Sequence, residues 1–308
     1  MIIDSHVHYR PPSLFTKKEM DKADLLMSDL EHYLEMMSRA GIDRLVLSTP
    51  MAGEASIGEC QRTNDLLAQA QAEHPDRIIG IGQLILHNDG KIAMEADRVI
   101  KKLHLKGFMF NWPSTRVMVE DEGMFFIYET AQKHGVPVFI HPAIKSPFDY
   151  GPMQGFGLAR SCGRELDMTI AVVRLINGGV LEKFPDLNLV ISHCGGAICA
   201  LKGRIRLYQD RSAWGGRAVI LSSVEHFDRL FDRLYFDTAG HGGWLNIIKA
   251  AIMSIKPERL LFGTEYPKEI LTAGGVTDFI HGITGLDVSE EAKQGILGAN
   301  AARLLNLH

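Results

Sequence analysis

The sequence predicts an α/β protein of the closed (β/α)8 class, a TIM barrel of the metal-dependent hydrolase type. Three observations lead there. Eight short runs rich in Val, Ile, Leu and Phe alternate with longer amphipathic stretches, the pattern of βα units around a parallel sheet. No Pro/Gly-rich linker or low-complexity tract divides the chain, so its 308 residues read as one domain over 1–308. The first apolar run is not followed by G-x-G-x-x-G, which removes the best support for an open dinucleotide-binding sheet and a nicotinamide-dependent oxidoreductase.

The elements follow in order. Strand 2–7 (IIDSHV) opens the barrel, and helix 29–40 leads to strand 43–48 (DRLVLS). Helix 60–73 precedes strand 78–84 (IIGIGQL), and helix 90–102 precedes strand 105–110 (LKGFMF). Helix 122–134 feeds strand 136–140 (VPVFI). The glycine-containing segment 142–163, with Lys145 and Phe148, then reads as a long irregular loop, of the kind that forms lids and binding elements. Helix 165–178, strand 187–192 (LNLVIS) and helix 196–209 come next, and 211–228 is a second irregular stretch. Strand 233–237 (RLYFD), helix 243–255, strand 259–262 (RLLF) and a terminal helix 289–306 complete the set.

Composition narrows the function classes. Hydrophobic content of 46%, 23% charged residues and a net charge of −4 describe a soluble globular protein without the basic patch that nucleic acid requires. No apolar run approaches the ~18 residues of a membrane span. The start of the chain has no cationic n-region or cleavage site, so no secretory signal is expected. Cys60, Cys162, Cys194 and Cys199 form no CxxC pair, and reduced thiols in a cytoplasmic protein are the simplest account.

In such a barrel, chemistry sits at the carboxyl ends of the strands. His6 and His8 end the first, two residues apart and therefore on one face, where two imidazoles can converge on one ion. Two solvent-facing histidines on an edge strand are the bland alternative. The fifth strand ends in His141, the sixth in His193 within S-H-C-G-G, and the eighth in Glu265 within F-G-T-E-Y-P. Three strands thus deliver an imidazole or carboxylate to the face that carries the first pair. His141 capping a strand in the core and His193 holding a turn remain the structural alternatives.

These residues resemble the amidohydrolase superfamily, in particular its branch containing aminocarboxymuconate-semialdehyde decarboxylase and related decarboxylases and hydrolases. The likeness runs from D-x-H-x-H (4–8) through GVLEKFPDL (179–187), S-H-C-G-G and F-G-T-E-Y-P to ILGANAARLL (296–305). It implies metal ligands at His6, His8, His141 and Glu265, and a catalytic histidine at His193. Binuclear relatives use a carboxylated lysine at the end of the fourth strand. Here Lys106 lies about 13 Å below Phe110 at the usual rise, and Asn111 and Trp112 stand at the end, so one metal is expected. Zinc is the first candidate and manganese the alternative. Most relatives carry Asp where this chain has Glu265. The added methylene lengthens the side chain by roughly 1.5 Å, so either the backbone or the metal shifts, or the carboxylate leaves the ion and acts mainly as a base.

The resemblance implies a metal-dependent carboxy-lyase (decarboxylase) or hydrolase acting on a small carboxylated cyclic or aromatic-derived metabolite. In hydrolysis Glu265 takes a proton from the attacking water and His193 steadies the oxyanion. In decarboxylation His193 or Glu265 protonates the carbon that loses CO2. A hydratase or a lactone/amide hydrolase on the same site is the alternative, and a non-catalytic metal-binding barrel the second. Arg204 follows His193 in a run that resembles the branch's H-x-G-G…G-R, where the arginine binds substrate carboxylate across a dimer interface, so a homodimer or higher homo-oligomer is implied. A helix-surface arginine is the alternative reading. Arg10, Asn111, Trp112, His241 and Trp244 follow strands closely enough to line the pocket, and Asp237 is read as orienting the seventh loop.

Overall fold

The computed structural model describes residues 1–10, 21–86, 90–146, 148, 151–209 and 223–307. The strands are β1 (Ile3–His8), β2 (Arg44–Ser48), β3 (Ile78–Gly80), β4 (Gly82–Gln83), β5 (Phe108–Trp112), β6 (Val138–Pro142), β7 (Leu189–Ile191), β8 (Tyr235–Asp237) and β9 (Leu260–Leu261). They pair in parallel in the orders β1-β2-β3 and β4 to β9. The two sheets are one barrel. The expected strand 78–84 breaks at Ile81, whose N–H donates to Leu47 O at 2.9 Å while the Gly82 N–H turns to Gly107 O at 3.0 Å. At the other seam the Ser5 N–H donates to Phe262 O at 2.7 Å and the Glu265 N–H to His6 O at 2.9 Å.

Helices α1 (Lys22–Met27), α2 (Leu30–Ala40), α3 (Ile57–Glu73), α4 (Gly90–Lys101), α5 (Phe125–His134), α6 (Arg164–Asn177), α7 (Val180–Lys183), α8 (Ile198–Leu207), α9 (Val224–Phe231), α10 (Leu245–Ser254), α11 (Ala273–Thr284), α12 (Glu290–Gln294) and α13 (Asn300–Leu304) complete the described elements. The starts are chemically marked: Asp21 and Ser56 build capping boxes on α1 and α3. Among the described residues no helix is long and apolar enough to cross a membrane.

Four helices depart from the sequence reading. α1, α7 and α11 lie where no helix is expected, α11 because Gly274, Gly275 and Gly282 dilute its helical signal. Gly282 is there for close approach, since a Cβ would lie 2.5 Å from Leu245 Cδ1 on α10. α9, capped by Ser223, occupies the end of the stretch 211–228 read as irregular; residues 211–222 lie outside the described ones. Within 142–163 the chain forms a short turn at Gly151–Met153 and a wide helical turn at Ala159–Gly163.

Two cores hold the barrel. Inside it, Ile3, Val46, Ile79, Ile81, Met109, Phe139, Val190, Tyr235 and Leu261 meet one another, with Leu304 and Leu305 closing the floor. Outside, the alternate residues Leu45, Leu47, Phe108, Phe110, Val138, Ile140, Leu189, Ile191 and Phe236 pack under the helices. That alternation decides what reaches the mouth: two residues beyond Met109, Phe139 and Tyr235 stand Asn111, His141 and Asp237, all inward. β1 needs a correction of phase. The register slips between Asp4 and Val7, so Ile3 points inward at the floor while His6 and His8 point inward at the mouth.

Candidate metal centre

Five buried side chains converge at the barrel mouth: His6, His8, His141, His193 and Glu265. The most accessible of them, His8, is only 6% exposed. His8 Nε2 lies 3.2 Å from His6 Nε2 and 3.1 Å from His141 Nε2, and 3.9 Å from Glu265 Oε1. His6, His141, His193 and Glu265 also offer one ligand atom each within a 4.8 Å group.

The second nitrogens explain the convergence. His6 Nδ1 faces Asp237 Oδ2 at 2.9 Å, His8 Nδ1 faces Ser48 Oγ at 3.1 Å, and His141 Nδ1 faces Pro142 O at 2.8 Å. In the tautomers that donate from Nδ1 to these acceptors, the three Nε2 lone pairs aim at one another. That is repulsive unless a cation sits between them. Ligand atoms on a metal with bonds near 2.1 Å are spaced by about 3.0–3.4 Å, which is the spacing of His8 Nε2 from the other two imidazole nitrogens. The cluster therefore fits a divalent metal, with hydrogen-bonded partners behind each imidazole as metal ligands require.

Electrostatics agree. Burial first, then the neighbouring His6 charge, pushes His8 down to about 3, and burial with the charges of His8 and His6 puts His141 well below its ordinary value. Both are neutral donors near pH 7. Burial works against the His6 charge, yet the neighbouring Asp237 carboxylate raises its pKa above the ordinary value. Burial also opposes charge on Glu265 and His193, but each stabilises the other: Glu265 is held well below, and His193 well above, its usual range.

His193 is supported from both sides. Its Nδ1 lies 2.9 Å from Glu165 Oε1 and its Nε2 3.2 Å from Glu265 Oε2. The latter contact lacks hydrogen-bond alignment, and neither atom has another hydrogen-bond partner, as befits groups aimed at a ligand. His193, Cys194 and Glu265 adopt φ of 58°, 53° and 50°, in the left-handed region, where strain of about 1–3 kcal/mol per residue marks functional sites. Room for the ring depends on Gly240 (φ 79°), where a Cβ would sit 2.3 Å from His193 Cγ.

Other expected pocket residues fall elsewhere. Asn111 is 2% exposed and stands behind His141, its Nδ2 3.0 Å from His141 Nδ1. Its Oδ1 accepts from Met51 N–H and Gln83 Nε2 while its Nδ2 donates to Pro142 O, the carbonyl that fixes His141. Trp112 is no aromatic slot either: its ring is buried in the outer core and Nε1 donates to Val117 O, because alternation turns it outward. Arg10 pairs with Asp24 at 3.1 Å. His241 does stand beside the site, Nε2 3.1 Å from His193 O and 3.9 Å from Glu165. Trp244 is 66% exposed. Arg204 is exposed on α8 over Tyr208, in a groove with Leu201 and Ile205, and not in its own chain's cluster.

Sequence reasoning missed three contributors. Asp237 orients His6 and accepts the His193 N–H at 3.0 Å, beyond the loop role expected of it. Inward alternation from Tyr235 was the available signal. Asp4 binds Thr264 N–H and Oγ–H and so ties β1 to the Glu265 turn. Glu165 follows a long loop and carries no local signal at all. Because Asp237 fixes the ring of His6, Asp237→Asn is expected to weaken metal affinity about 10–100-fold while leaving one equivalent bound at saturation, measured by competition with a chromophoric chelator.

A family model described as amidohydrolase matches residues 3–307. Among curated proteins, the chain is 25% identical to 2-amino-3-carboxymuconate-6-semialdehyde decarboxylase of Dictyostelium discoideum, over 99% of this chain and 84% of the relative. It is 25% identical to gamma-resorcylate decarboxylase of a Polaromonas strain, over 92% of this chain and 89% of the relative. Among solved structures, the 5-carboxyvanillate decarboxylase of Novosphingobium aromaticivorans, complexed with manganese and 4-hydroxy-3-methoxy-5-nitrobenzoic acid, superposes with a TM-score of 0.84. It has 21% identity and covers 100% of this chain and 96% of its own. The fold is shared.

Proposed function

The chain belongs to the amidohydrolase family, and from that premise we propose that it is a metal-dependent decarboxylase of a small aromatic or cyclic carboxylate. One observation carries the reading: three imidazole lone pairs aimed at a single point, beside a buried, ion-paired histidine and glutamate. His6, His8, His141 and Glu265 hold the ion in this reading, and His193 stays free to work beside it. The donor set of three imidazoles and one carboxylate suits zinc first and manganese second. When bound, the ion supplies a fixed positive charge that orients the substrate's acidic oxygens.

The chain's own groups do the proton work. Glu165 holds Nδ1 of His193, so the opposite nitrogen, Nε2, faces the site. The pair His193–Glu265 carries one proton in a dry setting, where it can be delivered over hydrogen-bond distance. As the bond from ring carbon to carboxyl carbon breaks, its electron pair stays on the ring carbon, that carbon takes the proton, and CO2 leaves. Hydration or hydrolysis is the second reading, favoured by Glu265, whose longer side chain suits a base. In this reading Arg204, exposed on α8, serves a neighbouring subunit of a homodimer, and the four free cysteines suit a reducing cytoplasm.

The metal-loaded enzyme should release CO2 from members of a panel of hydroxybenzoates and carboxymuconate-like acids, with solvent deuterium entering at the vacated carbon. Turnover of lactones or enoic acids without CO2 would move the assignment to the second reading.

A further inference from the structure

Between β6 and α6 the chain walls a cavity of about 730 Å³. Ala143, two residues past His141, and Arg164, next to Glu165, both line it, while the His/Glu cluster itself does not. The walls carry Lys145, Arg160 and Arg164 against the single carboxylate of Asp167, and Met153 adds apolar surface. Arg160 lies in the wide turn Ala159–Gly163 and Arg164 opens α6, four residues on, where two like charges on one helical face repel. Among the described residues neither guanidinium has a carboxylate within 4.0 Å. Arg164 Nη2 donates to Ile144 O at 3.4 Å, which ties it to the segment leaving His141.

We propose that Arg164, with Arg160 behind it, anchors a second acid group of the substrate, one that remains on the product. The natural substrate then carries two anionic groups, one at the His/Glu cluster and one in the arginine-lined cavity. This rests on reading the cluster as a decarboxylation site. A carboxylate between the two guanidinium groups accepts charge-assisted, fork-shaped hydrogen bonds and relieves their repulsion. At about 730 Å³ the cavity has room for a ring and its retained acid group. The charges are also within electrostatic reach: burial and then Arg160 disfavour the Arg164 charge, and the carboxylates of Glu265, Glu165 and Glu269 support it.

Calorimetric titration of the metal-loaded protein with isophthalate and with benzoate tests this without turnover. Isophthalate should bind at least about tenfold more tightly than benzoate. Arg164→Gln should abolish that preference and leave benzoate affinity unchanged. Equal binding of both ligands by the wild type, or equal weakening of both by Arg164→Gln, overturns the proposal. Should circular dichroism find Arg164→Gln unfolded, Arg160→Gln is judged by the same two criteria. Benzoate binding that ignores removal of the metal would instead count against the metal-site reading, while the isophthalate preference and its loss still decide the arginines.

Discussion

Substituting His6→Ala is expected to lower bound divalent metal from about one equivalent to under about a tenth, and kcat by about a thousandfold or more. Two effects coincide at this residue. The substitution removes one of three converging lone pairs, and it strips Asp237, a fully buried carboxylate, of its Nδ1–H partner. Leaving a buried charge uncompensated costs about 3–5 kcal/mol, so loss of metal could reflect loss of fold. His141→Ala separates the two, because its Nδ1 partner is the backbone carbonyl of Pro142, which Asn111 continues to satisfy. Elemental analysis of both variants, with circular dichroism of each, is the measurement. A folded His141→Ala protein that retains a full equivalent of metal would sink the reading of the cluster as a metal centre.

What could be read in advance follows from range. Alternation within a strand is local, so His6, His8 and His141 could be assigned to the mouth from their spacing and their place after apolar runs. The same logic turns Trp112 outward, one step out of phase with Asn111, where closeness to the strand end alone suggests a pocket residue, and it would turn His6 and His8 outward if Ile3 were used to set the phase. The slip between Asp4 and Val7 corrects it, and it begins at the residue that pairs with the distant Thr264, a contact no local pattern contains. Glu165 was illegible for the same reason: its partner His193 is 28 residues away and the intervening chain includes a whole helix and strand. α11 escaped because packing against Leu245 overrides the poor helix propensity of three glycines.

His193 is the residue on which the two ligand sets disagree, and His193→Gln decides between them. The substitution keeps the bulk of the side chain, removes its titratable proton, and retains an amide that can still meet Glu165. If His193 works beside the metal, kcat should fall about 10²–10⁴-fold while metal content and the affinity for benzoate stay near wild type. If it belongs instead to the ligand group formed with His6, His141 and Glu265, metal content should fall together with activity. The first outcome is expected because His8, not His193, stands within 3.1–3.2 Å of both other imidazole Nε2 atoms. Glu265 sharpens the test further. It touches His193 at 3.2 Å and reaches His8 only at 3.9 Å, so the carboxylate sits closer to the proton donor than to that ligating imidazole. The double variant His193→Gln/Glu265→Gln should then lose little more kcat than the worse single variant, since both act on one proton. Multiplicative losses would mean that the two groups serve separate steps.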